Sequence, residues 1–391
     1  MGEQRQHDRA LEVCRMSNFC AKALLGLALL TKLGPCPSSL PASEPPTHHW
    51  EVALPGWKYE FPRDHFSHPD FKTEWWYFTG NLTGQEGREF GFQLTFFRQG
   101  VRRGTSPTRF AVEDIKLAHF ALSDLSREKF YFAQKVSRGA FGEAGFSQGS
   151  RMAWIDGWEL RMQGEGHFLL EASGDDFSLK LDLKSAKLPV FHGEDGISQK
   201  SAGIGRASHY YSFSRLSASG ILSLSQEENA VKGTAWFDQE WATNQLTENQ
   251  TGWDWLSLQF EDGTELMLFQ IRLREGGRDP FSHGTWIAED GSTTEIKNED
   301  FVLIPGRSWE SEASGAQYPV EWILKIPKLE LELEVSAALD NQELALQPIS
   351  YWEGSVRAVG GRDGGQVTGR GYLEMTGYAG GLVGLQAPST R

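Results

Sequence analysis

Apolar and charged residues alternate strictly over Leu329-Glu-Leu-Glu-Leu-Glu-Val335 and over Leu179-Lys-Leu-Asp-Leu-Lys184. A period of two puts every aliphatic side chain on one face, so both segments are expected to be half-buried antiparallel strands. Hairpin signals recur between longer apolar runs. Asn81-Leu-Thr-Gly-Gln-Glu-Gly87 is one, and Glu261-Asp-Gly263 separates Trp253–Phe260 from Glu265–Arg272. No segment carries a helical stripe of more than about three turns. The pattern predicts an all-β protein.

These elements occur twice in the same order. Glu74-Trp-Trp-Tyr77 followed by Gly87-Arg-Glu-Phe-Gly-Phe92 opens one half, and Trp253-Asp-Trp255 followed by Gly263-Thr-Glu-Leu-Met-Leu268 opens the other. Leu179, Leu181 and Leu183 then match Leu331, Leu333 and Val335. Val231-Lys-Gly-Thr-Ala-Trp-Phe-Asp238 matches Val367-Thr-Gly-Arg-Gly-Tyr-Leu-Glu374 and closes each half, pairing Asp238 with Glu374. The first half is longer by about 40 residues, read as loops. Two tandem β-barrel domains are expected, over 47–245 and 246–385, with a short tail at 386–391.

Composition narrows the partners. The chain of 391 residues has a net charge of −14 and no concentrated basic stripe, so it would repel a phosphate backbone, and nucleic acid is excluded as a partner. Its 24 phenylalanines and 14 tryptophans supply the filling for β-barrels. All three cysteines, Cys14, Cys20 and Cys36, precede Trp50, so the body folds without disulfides and has no thiol chemistry. Residues 1–46 read as a signal peptide and Pro/Ser-rich linker: Lys22 leads into Ala23–Leu30, too short for the ~18 residues of a membrane-spanning helix, with Met16 an alternative start. Export to the periplasm or medium is expected, and Leu33-Gly-Pro-Cys36 offers N-terminal lipid anchoring as an alternative.

Carboxylates mixed with large aromatics point to a polar-lined apolar pocket, because burying an acid beside an indole is costly unless it is paired, hydrogen-bonded or protonated. Alternation places Trp236, Asp238 and Glu240 on one strand face and Phe237, Gln239 and Trp241 on the other. If the first face lines a barrel interior, two acids share an aromatic cage and one is driven towards its protonated form. Anchoring of backbone amides at a barrel rim is the alternative for both. Glu74, Trp75, Trp76 and Tyr77, the pair Tyr210 and Tyr211, and Trp253 complete the candidate ligand-binding set, with His119 beside Asp238 and Glu240 as a candidate catalytic group. Asp64, His65, His68 and Asp70 crowd one segment without regular ligand spacing, so no metal or other cofactor is expected.

The run Asp64–Asn81, with Ala118-His-Phe-Ala-Leu-Ser-Asp124, Tyr210-Tyr-Ser212 and Trp236-Phe-Asp-Gln-Glu-Trp241, resembles the AttH-like family, which is related to carotenoid 1,2-hydratase (hydroxyneurosporene synthase). The resemblance implies two lipocalin-like barrels, often described as secreted hydrolases and encoded in some bacteria beside an ABC-type export permease. It also implies that Asp238 stands where the hydratases carry the aspartate that protonates an isolated double bond, whereas Gln239-Glu240 follows the AttH-like branch. The residues carry no Gly-x-Ser-x-Gly elbow and no phosphate loop, so they give no support to an esterase or a nucleotide enzyme. The expected function is that of an exported lipocalin-like protein enclosing a lipid or isoprenoid in the first barrel or the seam between barrels. The alternatives are an acid-catalysed hydratase or isomerase of an unsaturated lipid and, third, a glycan-active hydrolase.

Overall fold

The computed structural model describes residues 49–103, 111–244, 246–347 and 349–380. The segment expected to be a signal peptide, the alternative start at Met16, Cys36 and the tail lie outside the described residues. The described residues form one compact unit. Among the described residues there is no α-helix, only strands and short 3-10 turns.

The first sheet is built from β1 (Thr73–Thr83), β2 (Glu89–Gly100), β3 (Asp114–Asp124), β4 (Lys129–Ser137), β5 (Ala144–Gln148), β6 (Arg151–Ile155), β7 (Trp158–Gly164), β8 (His167–Ser173), β9 (Phe177–Ser185), β10 (Val190–Phe191), β11 (Ile197–Gln199), β12 (Ala207–Leu224) and β13 (Glu227–Ala242). Its order is β4-β3-β2-β1-β13-β12-β9-β8-β7-β6-β5, with β10 and β11 added beside β12. The sheet curls until its ends meet. Phe120 of β3 packs edge-on against Trp158 of β7, Tyr131 of β4 lies near Phe177 of β9, and Lys135 of β4 reaches Asp156. The result is a nearly closed barrel.

The second sheet contains β14 (Gln250–Phe260), β15 (Glu265–Leu273), β16 (His283–Ile287), β17 (Thr293–Ile296), β18 (Val302–Pro305), β21 (Glu321–Ile326), β22 (Leu331–Ala337), β23 (Glu343–Leu344), β24 (Tyr351–Arg362) and β25 (Gly365–Met375). Between them β19 (Ser308–Glu310) and β20 (Gln317–Pro319) form a separate ribbon. The main order is β17-β16-β15-β14-β25-β24-β22-β21-β18, a half-barrel whose nine strands follow the order β4 to β7 of the first sheet, while β6 and β5, in the stretch read from sequence as loops, have no counterpart. The register repeats too: Leu181 faces Gly220 and Gly220 faces Val231, while Leu333 faces Gly360 and Gly360 faces Val367. Both predicted hairpins join the expected strands, and β9 and β22 bury alternate residues as the sequence pattern requires.

The paired glycines have a steric reason. A Cβ on Gly220 would collide with the carbonyl of Lys180, and one on Gly360 with the equivalent carbonyl of Glu332. Gly360→Ala is therefore expected to lower stability by about 1–3 kcal/mol, read as a shift of the urea midpoint at unchanged slope.

The interior of the first barrel is filled. Phe78 stacks on Phe237 at 4.4 Å, and Phe90, Phe92, Phe120 and Phe168 are buried around them. The segment from Trp50 to Phe71 closes one end, laying Trp57, Tyr59, Phe61 and Phe66 against this core. A ligand space inside the first barrel is thus replaced by side chains, because large aromatics on the inward positions pack it solid. The two sheets meet in a seam where β1 and β2 cross β25 and β24.

Candidate active site in the seam between the sheets

Strand β1 and the C-terminal half of β13 (235–242) are buried on both faces, and alternation divides their motifs between two environments. Trp76, Phe78, Phe237 and Trp241 point into the first barrel, while Tyr77 and Trp236 pack with Tyr210, Trp255, Met267 and Tyr372 in the seam. The face carrying Trp236, Asp238 and Glu240 looks outward from the first barrel, towards the second sheet. The aromatic cage exists, but two sheets build it.

Asp238 lies opposite Tyr77 of β1 and Ser212 of β12. Its Oδ1 accepts from Ser212 Oγ and from Trp236 Nε1 at 2.6 Å, and its Oδ2 accepts from the Tyr210 hydroxyl at 2.8 Å. Trp255 Nε1 donates to Tyr210 at 3.0 Å, tying the second sheet to this carboxyl. Burial pushes Asp238 up to about 7; the three donors oppose the shift and the charge of Glu240 adds to it.

Glu374 occupies the matching place on β25, opposite Trp255 and Glu353. Its Oε2 accepts from Trp253 Nε1 at 3.2 Å. It keeps partial solvent access beside the partly exposed Trp75 and Trp253, which makes this the open side of the seam. Dense surroundings still raise it to about 7, with Glu240 and Asp238 contributing repulsion. Glu353 is fully buried: Oε1 accepts from Tyr77 at 2.6 Å, and Oε2 has no partner. Burial, and then Glu374, push its carboxyl well above the usual range.

Glu240, opposite Trp75, is paired with the ammonium of Lys200 at 3.1 Å. Lys200 sits 4.1 Å from the Phe269 ring centroid and donates to Ser198 Oγ, which lies 3.1 Å from His283 Nε2. Burial lowers the Lys200 pKa despite the Glu240 charge. His283 lines a cleft of about 390 Å3 with Ile197, Gln199 and Phe281. From the other side His192 Nε2 is 2.6 Å from Ser212 Oγ, with Nδ1 2.9 Å from Thr285 Oγ1. Burial keeps His192 neutral, with its pKa well below the ordinary value.

His119 also faces the second sheet, but further along. Its Nδ1 is 2.8 Å from the Tyr351 hydroxyl and its Nε2 2.9 Å from the Gln134 amide. Burial lowers it to about 3, so it is a neutral imidazole. It reaches the acids only through Tyr351, which lies beside Glu353 and Glu374.

The remaining sequence candidates are elsewhere. Glu74 accepts from the His68 backbone N–H at 2.8 Å and from Arg98 Nε at 3.3 Å, and its Oε1 is 2.7 Å from His68 Nδ1. Gln239 donates to Glu74 at 3.2 Å and accepts from the Tyr211 hydroxyl at 2.6 Å. Trp76 donates to the His65 carbonyl. Together with Asp64 these groups fasten the Trp50–Phe71 segment to the barrel end, and His68 places its two ring nitrogens against Glu74 and Asp64. Glu74, Trp76, Tyr211 and Gln239 are therefore separated from the seam by the β1–β13 backbone, whereas Trp75, Tyr77, Tyr210, Trp236, Asp238, Glu240 and Trp253 share it. Among the described residues no group of three or more His, Cys, Asp or Glu side chains is arranged to hold a metal ion.

The sequence-derived site set lacked Glu353, Lys200 and His192, and Ser212, Trp255 and Glu374 entered only as parts of family or repeat motifs. Glu353 had a signal: Tyr351-Trp-Glu353 mixes aromatics and an acid as Glu74-Trp-Trp-Tyr77 does. Lys200 and His192 lie in short segments without a readable pattern.

This two-sheet architecture recurs in known proteins. The AttH-like family model matches residues 52–378. The chain belongs to the AttH-like family. The crystal structure of an AttH from Nitrosomonas europaea superposes on this member with a TM-score of 0.76 at 35% identity, covering 84% of this chain and 99% of that one. Kievitone hydratase from Nectria haematococca shares the fold, with a TM-score of 0.67 at 14% identity over 85% of this chain and 97% of that one. Kievitone hydratase of Fusarium solani subsp. phaseoli is 26% identical over 149 residues, which are 37% of this chain and 41% of that protein. This AttH-like chain is thus related to a hydratase along about two fifths of the hydratase's length.

Proposed function

We propose that this AttH-like protein is a hydratase that adds water to an isolated carbon-carbon double bond of an apolar molecule held in the seam. The observation that carries the reading is the pair Asp238 and Glu374, two carboxyls at equivalent positions of the repeat, both raised to about 7 inside an aromatic enclosure. A general acid works best when its pKa lies near the operating pH. Kinship with kievitone hydratase supports the same chemistry.

The step balances with these two groups. Asp238, protonated, transfers its proton to one alkene carbon, using the π electrons for the new C–H bond. The faces of Trp236, Trp255 and Tyr77 stabilise the resulting carbocation. Water entering past Trp75 and Trp253 bonds to the cationic carbon and gives its proton to ionised Glu374. Solvent then returns that proton to Asp238.

Asp238 must be protonated and Glu374 ionised, so kcat/KM is expected to form a bell centred near pH 7. Glu374→Gln should remove the acidic limb and leave a rate that only falls as pH rises through about 7. The activity itself is sought by incubating fractionated apolar metabolites of the source cells with the protein in heavy-oxygen water. One component should gain the mass of labelled water; recovery of every component unchanged would leave a carrier and sink the hydratase.

A further inference from the structure

With Asp238 and Glu374 assigned to proton transfer and Glu240 paired with Lys200, the remaining acid of the seam is Glu353. Glu353 is 0% exposed, and only one of its carboxyl oxygens is engaged, by Tyr77. Oε2 meets no donor or acceptor among the described residues. An unpaired polar atom in such a place is costly, and the large majority of buried polar groups have partners. Its neighbours are the aromatic rings Tyr77 and Tyr351 and the carboxyls Glu374 and Asp238. The free oxygen therefore lies in the same seam as the proposed chemistry, on the β24 side, while the proton donor lies on β13.

We infer that Glu353 Oε2 is the anchor for an oxygen substituent of the ligand, a hydroxyl or carbonyl carried by an otherwise apolar, unsaturated molecule. The inference rests on the seam being the binding site and adds the substrate class: an alkene bearing an oxygen at a distance from the double bond, not a plain hydrocarbon. Glu353 as a neutral acid donates its O–H to either kind of oxygen, and as a carboxylate it accepts from a hydroxyl. A hydrocarbon leaves Oε2 unpaired in the complex. A site built around a polar contact discriminates strongly against an analogue that lacks it.

Citronellol and 2,6-dimethyloct-2-ene are suitable probes, since both carry the same isolated double bond on the same branched chain and only the first has an oxygen. Their binding is compared by equilibrium headspace partition over the full-length protein. Citronellol is expected to bind about tenfold or more tightly, the size of one buried hydrogen bond to an ionisable group. Glu353→Met should abolish the preference, with circular dichroism reporting its fold. Tyr77→Phe, which frees Oε1 and retains the carboxyl, should keep it. Asp238→Asn should also keep it, even if that variant adds no water, so the anchor is tested apart from the proton donor. Equal binding of the two probes, a preference that survives Glu353→Met or disappears in Asp238→Asn, or no binding of either probe, which would leave Glu353 to water alone, overturns the proposal.

Discussion

Asp238→Asn is expected to lower the rate of water addition by about 10²–10⁴-fold while raising the thermal stability measured at pH 8. The amide keeps the shape of the side chain and has no acidic proton, so ligand affinity should stay within about tenfold. The stability gain follows from linkage. Folding raises the Asp238 pKa from 3.8 to about 7, so its contribution is fully present below the unfolded value and is lost as pH rises through about 7. Above that pH the wild-type protein holds a desolvated charge whose cost is bounded at roughly 4 kcal/mol by the shift. Asparagine is free of it, and its carbonyl can still accept from Ser212 and Trp236. Part of the gain is offset at Tyr210, whose hydroxyl loses a carboxylate acceptor. A net gain of about 1–2 kcal/mol at pH 8, shrinking towards pH 5, is the expected result. A carboxylate retained only to anchor its three donors would behave in the opposite way, with the amide variant less stable at pH 8 and the rate unchanged.

The repeat was legible because side-chain period and register are backbone properties. Leu181 and Leu333, Val231 and Val367, and Asp238 and Glu374 stand at matching places in the sequence repeat and occupy equivalent registers. The faces of β13 were also legible as a division into Trp236, Asp238, Glu240 and Phe237, Gln239, Trp241. Which of them is the barrel interior was not, because alternation distinguishes inside from outside only when one face is wet. Here the second sheet covers the outer face, so both read as buried and aromatic. That ambiguity is why Glu74-Trp-Trp-Tyr77, read as one ligand-binding motif, sends Glu74 and Trp76 to the plugged barrel end and Trp75 and Tyr77 to the seam. Lys200 enters the seam through contacts between distant segments, for which a single sequence holds no periodic signal, whereas Glu353 was marked only by the mixed aromatic and acidic run Tyr351-Trp-Glu353.

Glu74 provides the sharpest contrast with Asp238, since each is a buried acid in an aromatic motif and their environments shift them in opposite directions. Burial alone would raise Glu74, but the His68 and Arg98 charges overcome it and hold the carboxyl below its usual value. Its contribution to stability is therefore present above the unfolded carboxylate pKa and is lost as pH falls through the lower folded value. His68 is raised by Glu74 and Asp64 against its own burial, so its contribution is present at and below its ordinary value and fades as pH rises through the folded one. Glu74→Gln removes one charge of this enclosed set and leaves Arg98, 3% exposed, without its carboxylate. Breaking a buried pair from one side costs about 3–5 kcal/mol. The loss should appear as a lower urea midpoint and as faster proteolysis between Trp50 and Phe71, because Glu74 and Arg98 together hold the His68 and Phe71 backbone groups of that segment. Activity per folded molecule should be unchanged, since the β1–β13 backbone lies between Glu74 and the seam. A variant that kept its stability and lost ligand affinity would return Glu74 to the binding site and remove the structural role assigned to it.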